Sequence, residues 1–316
     1  MTTAAAADAS RAAGDGAVSR RRRGRIGVVL FTTPTEIGPF CSKLLFGVVG
    51  EARRHDLEVS VWFIGGDEPV TPRAPAGELT GMIVMGKVAG DPWLEQVAAS
   101  GVPTVVVGRW AGIPGRVQSV DSDHVGGTEQ LVTHLASLGR RRIAVITGML
   151  DVFDVILRLH TFERMRVELG LDRGDDLVVA GDFTARSGDL AMRELLRRRR
   201  GDDDRIDAVF AMNDAMAAGA IHALLDAGLR VPDDVAVAGF DAAFEPNLLP
   251  MEVTSARQNV AELGRRAVLA LVDLVAGAEP GDTEVVGVDL VFGQSTVGRA
   301  HGAVVPDALG VSPSVS

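Results

Sequence analysis

The stretch Val209–Ala220, VFAMNDAMAAGA, decides how the rest of the chain is read. Val209 to Met212 form an apolar run without polar alternation, the mark of a strand covered on both faces. The run stops at Asn213-Asp214 and gives way to a helix made mostly of small residues. A covered strand that passes straight into a helix is one βα unit. Its polar end then lies where open α/β sheets bind ligands, beyond the carboxyl end of the strand. Asp214 reads as the N-cap of the helix, because its carboxylate can accept from the free NH groups of the first turn. Asn213 reads either as a turn residue or as a group facing a ligand.

The same alternation runs outward in both directions. Short Val- and Ile-rich runs predict strands near 26–31, 57–64, 81–85, 103–107, 142–146, 206–210 and 235–239. Helical periods predict helices near 39–55, 91–100, 123–138, 154–168, 186–199 and 214–227. Asp91-Pro92 opens one helix, and Gly139 and Gly228 close two others. The fold class is α/β, with parallel sheets covered by helices on both faces. Strand and helix counts alone leave one barrel or two open sheets equally open.

Composition narrows the function. A chain of 316 residues holds about two domains of roughly 150 residues each. Net charge is −10, so the body has no electrostatic reason to bind nucleic acid by itself. The arginine run Arg20–Arg23 is a local exception, read as a solubilising tail or a nucleic-acid contact. The run Arg197–Arg200 is followed by Asp202–Asp204 and reads as a solvated helix end. A single cysteine, Cys41, excludes an internal disulfide and a Cys-rich metal site, which favours a cytoplasmic location. There is no membrane-spanning apolar run, and Ile26–Phe31 is too short for the core of an export signal.

Catalytic signatures are missing: the chain has no GxGxxG, Walker A, HExxH or GxSxG pattern. Its six histidines show no metal-ligand spacing and are expected mostly on helix surfaces. No enzyme activity, cofactor or metal is expected. The strand ends instead gather Phe40, Arg109, Trp110, Asn213 and Asp241. Arg158 has the alternative of a surface ion pair and Phe183 that of a core residue. Amide, carboxylate, guanidinium and aromatic groups together suit a polyhydroxylated small molecule, with polar partners for hydroxyls and a ring for an apolar sugar face.

Five segments then carry a resemblance. They are Val209–Asp241, VFAMNDAMAAGAIHALLDAGLRVPDDVAVAGFD; Val120–Gly127 followed by HLASLGRRRIAVITG at 134–148; RLHTF at 158–162; GDFTARSG at 181–188; and VTSARQNVAELG at 253–264. Together they resemble the lactose-repressor/galactose-repressor (LacI/GalR) family of transcriptional regulators over roughly residues 25–300. The resemblance implies two doubly wound parallel-sheet lobes of periplasmic-binding-protein type, joined by three crossovers, with a small molecule in the cleft and no barrel. It places 26–120 plus 254–283 in the first lobe and 121–253 plus 284–300 in the second, with tails at 1–25 and 301–316. It implies effector hydrogen bonds from Arg158, Asn213, Asp241 and Gln258, and packing by Phe183. Arg109, Trp110 and Phe40 follow as further contacts. Small residues such as Gly219 are expected to let their helix pack closely on the sheet.

The expected partners are a carbohydrate effector and a second copy in a homodimer. DNA is a partner only where an N-terminal helix-turn-helix exists, and residues 17–25 look like the tail of a hinge whose recognition helix is absent. Three departures stand out: Arg140 replaces the usual histidine, 65–80 is short and Pro/Gly-rich, and Gly293-Gln294-Ser295 lacks the usual arginine. The rival of the same fold is a solute-binding protein serving a sugar transporter, which would need an export signal.

Overall fold

The computed structural model describes residues 24–31, 38–64, 79–85, 92–109, 115–198, 205–242 and 251–297. The expectations for the N-terminal tail before Gly24, for 65–78, for Trp110, for Asp202–Asp204 and for 301–316 fall outside the described residues.

The first half of the chain forms β1 (Arg25–Leu30), α1 (Pro39–Arg54), β2 (Glu58–Phe63), β3 (Gly81–Met85), α2 (Pro92–Ala99), β4 (Thr104–Val107) and β5 (Val117–Ser122). A second series follows: α3 (His124–Ser137), β6 (Ile143–Thr147), α4 (Phe153–Glu168), β7 (Val178–Ala180), α5 (Ala185–Arg198), β8 (Ala208–Ala211), α6 (Asp214–Asp226) and β9 (Ala236–Asp241). The chain ends with β10 (Thr254–Gln258), α7 (Val260–Val275), β11 (Glu284–Val286), β12 (Val288–Val291) and the short α8 (Gln294–Val297). All seven predicted strands and six predicted helices are present, with ends shifted by a residue or two.

Two six-stranded sheets result, ordered β11-β5-β4-β3-β1-β2 and β12-β10-β9-β8-β6-β7. Every pairing is parallel except that of β10 with β12. In each sheet the strand order reverses between the first and third strands of the lobe, β1/β3 and β6/β8. Such a reversal leaves a crevice at the carboxyl ends of the strands. The chain passes between lobes three times: from β5 to α3, from β10 to α7, and from β11 through Gly287 to β12.

These crossings correct the expected lobe limits. Residues 254–258 pair with β9 and β12 and so belong to the second sheet, and it is α7 that returns to the first lobe. Residues 284–286 pair with β5 and belong to the first sheet, as does β5 itself through Ser122.

Strands β3, β4, β6 and β8 are almost wholly apolar because helices cover both faces. In the first lobe α1 and α7 bring Leu44, Val48, Leu263 and Leu271 onto Ile83 and Val105, and Val29, Met82, Val84 and Val106 pack on the other face with Val97 of α2. The second lobe holds one larger core around Phe162, Phe210 and Phe240, each fully buried and each contributing about 2–3 kcal/mol.

Glycines set how closely two helix pairs approach. A Cβ at Gly219 would stand 1.9 Å from the carbonyl oxygen of Ala185, and one at Gly188 would stand 2.2 Å from that of Met216. Gly219 therefore packs its helix on α5, not on the sheet as expected. Gly47 and Gly264 do the same for α1 and α7, with 1.9 and 2.3 Å to the carbonyl oxygens of Ala261 and Leu44.

Candidate functional site

Between the carboxyl ends of the two sheets lies a cavity of about 400 Å³. The first lobe contributes Phe31, Phe40, Asp121 and Ser122; the second contributes His124, Asp154, Phe183, Asn213, Asp241 and Gln258. Of the residues expected at the site, Phe40, Phe183, Asn213, Asp241 and Gln258 therefore line one space.

Local folding positions each of them. Asn213, not Asp214, is the N-cap of α6: its Oδ1 accepts from the backbone NH of Met216 at 2.8 Å. Its Nδ2 donates to the carbonyl of Phe183 at 2.9 Å, which ties the aromatic segment to the end of β8. Phe183 has a φ of 70°, and its ring occupies the space that a Cβ at Gly148 would fill. Asp214 instead turns inward, accepting from the Ser255 hydroxyl at 2.7 Å above Gly239, where a Cβ would come within 2.3 Å of its carboxylate. The buried carboxylate leaves the capping role to its neighbour because β9 packs against its side.

Asp241 ends β9 at a φ of 101°, followed by Ala242 at 44°. Left-handed backbone at non-glycine residues costs on the order of 1–3 kcal/mol each and clusters at ligand sites. The Ser255 hydroxyl receives the Ala242 NH at 3.1 Å and holds this turn. The Gln258 amide donates to the Asp241 carboxylate at 2.6 Å. Loss of water around Asp241 pushes its carboxyl above the usual range, with Arg158 and Gln258 pulling the other way.

Arg158 is 4% exposed and lies beneath the cavity floor rather than on its surface ion-pair alternative. Its guanidinium stacks 3.8 Å from the Phe240 ring centroid, donates to the Met212 carbonyl, faces Nδ1 of His124 at 3.2 and 3.3 Å, and sits 3.7 Å from Asp241. It orients the residues that line the cavity. Arg109 stands at the first-lobe rim, 3.6 Å from Asp121.

Asp121, Ser122, His124 and Asp154 were not among the residues expected at the site. His124 is 3% exposed, against the expectation of a surface histidine. Its Nε2 lies 3.0 Å from Asp121 and 3.4 Å from Asp154. Burial and Arg158 oppose a charged imidazole, while the Asp154 charge and the hydrogen bonds to both carboxylates favour it and leave the pKa raised. Arg158 faces Nδ1 and the two carboxylates face Nε2, so the ring is held between a cation and two anions. Burial likewise works to raise Asp154, but His124, Arg158 and Arg109 hold its pKa below the usual carboxylate value.

Donor atoms of Asp121, His124 and Asp154 lie within 4.8 Å of one another, the spacing of a metal site, as do those of exposed Asp189, His222 and Asp226. Arginine already serves both: Arg158 and Arg109 face the first set, and Arg193 bridges Asp189 and Asp226 at 2.8 and 2.6 Å. Their charge compensation needs no cation. The signal that marks the first set in sequence is Val120–His124, VDSDH, a strand that turns polar just as it leaves its sheet.

Two parallel sheets with reversed strand order, facing each other across a polar pocket with one aromatic wall, define a two-lobed binder of a small molecule. Residues 132–296 match the family described as periplasmic binding protein-like domain. The chain is 37% identical over 198 residues to the transcriptional regulator CelR of Thermobifida fusca, covering 62% of this chain and 57% of that protein. It is 36% identical over 171 residues to the ribose operon repressor of Escherichia coli K12, covering 54% and 50%. A solved CelR–cellobiose complex superposes with a TM-score of 0.78 at 31% identity, covering 86% of this chain and 84% of that one. The matched segments span about half the length of these curated relatives. The chain belongs to the periplasmic-binding-protein-like family, among the LacI/GalR transcriptional regulators.

Proposed function

We propose that the chain is the effector-binding core of a regulator, in which a sugar bridges the lobes and shifts an equilibrium between open and closed clefts. The observation that carries this reading is the cavity itself. Phe40, Phe183, Asn213, Asp241 and Gln258 come from separate strand ends on both lobes and meet in one space. A ligand touching both lobes has unequal affinity for the open and closed forms, which is the only way it can shift them. Charge-assisted hydrogen bonds of about 1.5–3 kcal/mol each make Asp241 a strong contributor. Arg158 acts by holding Asp241 and His124 in place. Its regulator relatives, one solved with cellobiose, support a sensory role over transport or turnover.

A homodimer through the first lobe is part of the proposal: Phe46 of α1 is 79% exposed with Val49 beside it on the same helix. DNA enters as a partner through a helix-turn-helix joined to this core, and the setting is cytoplasmic. No helix among the described residues is long and apolar enough to cross a membrane. Calorimetric titration with cellobiose, glucose and ribose tests the reading. Saturable binding by at least one, lost in Asp241→Ala, is expected. Binding by none, or chemical conversion of a bound sugar, overturns it.

A further inference from the structure

We infer that Asp121 is a two-position switch at the crossing between the lobes: it holds His124 of the second lobe in the arrangement described here, and Arg109 of its own lobe once the cleft opens. That the switch answers to a sugar rests on the reading above; the exchange of partners itself does not.

Asp121 lies near the end of β5 in the first sheet and His124 begins α3 in the second lobe, so a contact between them spans the bend. Both side chains line the cavity, which puts the contact on the cleft side of that bend, and parting the lobes stretches it. Oδ1 of Asp121 makes the contact. It lies 3.0 Å from Nε2 of His124 and also accepts from the Ser122 NH at 2.8 Å. The bond needs a hydrogen on Nε2 and is indifferent to whether the ring as a whole is charged.

Each partner has a second place to go in its own lobe. Among the described residues, Oδ2 of Asp121 is buried without a hydrogen bond, and so is Nε of Arg109, 3.6 Å away. That distance is beyond hydrogen-bond range, yet a buried donor and acceptor left unmade side by side are rare in a native fold. A small turn of the Asp121 side chain joins them. His124, once released, keeps Asp154, whose Oδ2 stands 3.4 Å from the same Nε2. One bond across the bend is thereby exchanged for one within each lobe, and two arrangements so close in bonding make a bistable element. The other side of the imidazole reaches the ligand floor. Nδ1 of His124 faces Arg158 at 3.2 and 3.3 Å, Arg158 stands 3.7 Å from Asp241, and Gln258 donates to Asp241 at 2.6 Å. A sugar seated on Asp241 and Gln258 favours the arrangement in which His124 is in place, and with it the closed cleft.

Small-angle scattering of the whole chain without ligand tests the exchange. His124→Phe keeps a ring beside Phe240 and removes the bond across the bend, so the open form gains; Arg109→Met removes the alternative partner, so the closed form gains. His124→Phe is expected to have the larger radius of gyration of the two, with the native chain between them or level with one. His124→Gln, whose amide still donates to Asp121, is expected to stay with the native chain. In an Asp121→Ala background the two substitutions are expected to give one radius, because the group they compete for is gone. Equal radii in the native background, a larger radius for Arg109→Met, or a difference that survives Asp121→Ala overturns the inference. Calorimetric titration with cellobiose, glucose and ribose is expected to show His124→Phe binding sugar about tenfold more weakly, as when the competent form falls to about a tenth of the population. Native affinity in His124→Phe overturns the link between switch and ligand. Binding by none of the three sugars overturns the sugar-binding reading and leaves the scattering result standing.

Discussion

Asn213 shows how much one side chain can do at a strand end. Its oxygen caps α6 and its nitrogen holds the Phe183 carbonyl, so its polar groups face the protein before they face any ligand. Asn213→Ala is expected to destabilise the free protein by about 1 kcal/mol from the lost cap alone, read by urea denaturation. Asn213→Asp keeps the capping oxygen but sets a second acceptor against the Phe183 carbonyl, and a loss of about 1–3 kcal/mol is expected in the same denaturation curves. Arg158→Ala leaves Asp241 in a water-poor site without its guanidinium, and about 3 kcal/mol of stability is expected to go with it. At this scale the sequence was legible in part. Residue types pointed to Asn213, Asp241, Gln258 and Phe183. Which of Asn213 and Asp214 caps the helix depends on Ser255, distant in sequence, pulling Asp214 inward, and no local pattern carries that. His124 and Asp154 escaped for the same reason, since their pairing joins two helices that meet only in the folded lobe.

Elements were legible where burial was simple and obscure where they leave a sheet. Strands β1, β3, β4, β6, β8 and β9 are near-continuous apolar runs and stand out. Strand β5, VQSVDS, and β10, TSARQ, carry polar residues because their ends enter the cleft, and the alternation rule passes over them. Helix α7 does announce itself, with Leu263, Ala267, Leu271 and Leu274 buried at helical spacing, yet lies beyond the last predicted strand and went unplaced. Its first turn supports a pH prediction. Glu262 takes hydrogen bonds from Arg265 and Arg266, which lower its pKa to about 2. A depressed carboxylate stabilises above its ordinary pKa and loses that contribution as pH falls toward the folded value. Stability of the native chain is therefore expected to drop between the ordinary carboxylate range and about pH 2, and Glu262→Gln is expected to flatten that part of the curve in chemical denaturation. Glycine substitutions separate packing from propensity. Gly219→Ala drives a Cβ into the α5 backbone, and overpacking of about 2 kcal/mol outweighs a helix-propensity gain of about 1. Gly50→Ala on α1 meets nothing within 4 Å and is expected to stabilise by about 0.5–1 kcal/mol. Paired denaturation curves of the two variants read the contrast directly.

At the scale of the molecule, the two lobes repeat one plan: a central first strand, a second strand outside it, a close glycine-bearing helix pair, and a polar rim at the carboxyl ends. What joins them is slight. One residue, Gly287, separates β11 from β12, and Asp123, at the start of α3, donates its NH to the Val286 carbonyl at 2.9 Å beside it. The β5 crossing runs next to this one, because β11 pairs with β5, so neighbouring strands share the bend between lobes. A Cβ at Gly287 would touch nothing within 4 Å, so the residue is not demanded by space. Its value lies in backbone freedom, which Ala restricts in unfolded and open forms alike. Gly287→Ala is thus expected to leave the closed lobes intact and to narrow the range over which they part. Small-angle scattering on the free protein and with saturating sugar measures that range as the change in radius of gyration. A smaller change than in the native chain, with melting temperature equal or slightly higher, is the expected result; an unaltered change places the bend in the other two crossings instead.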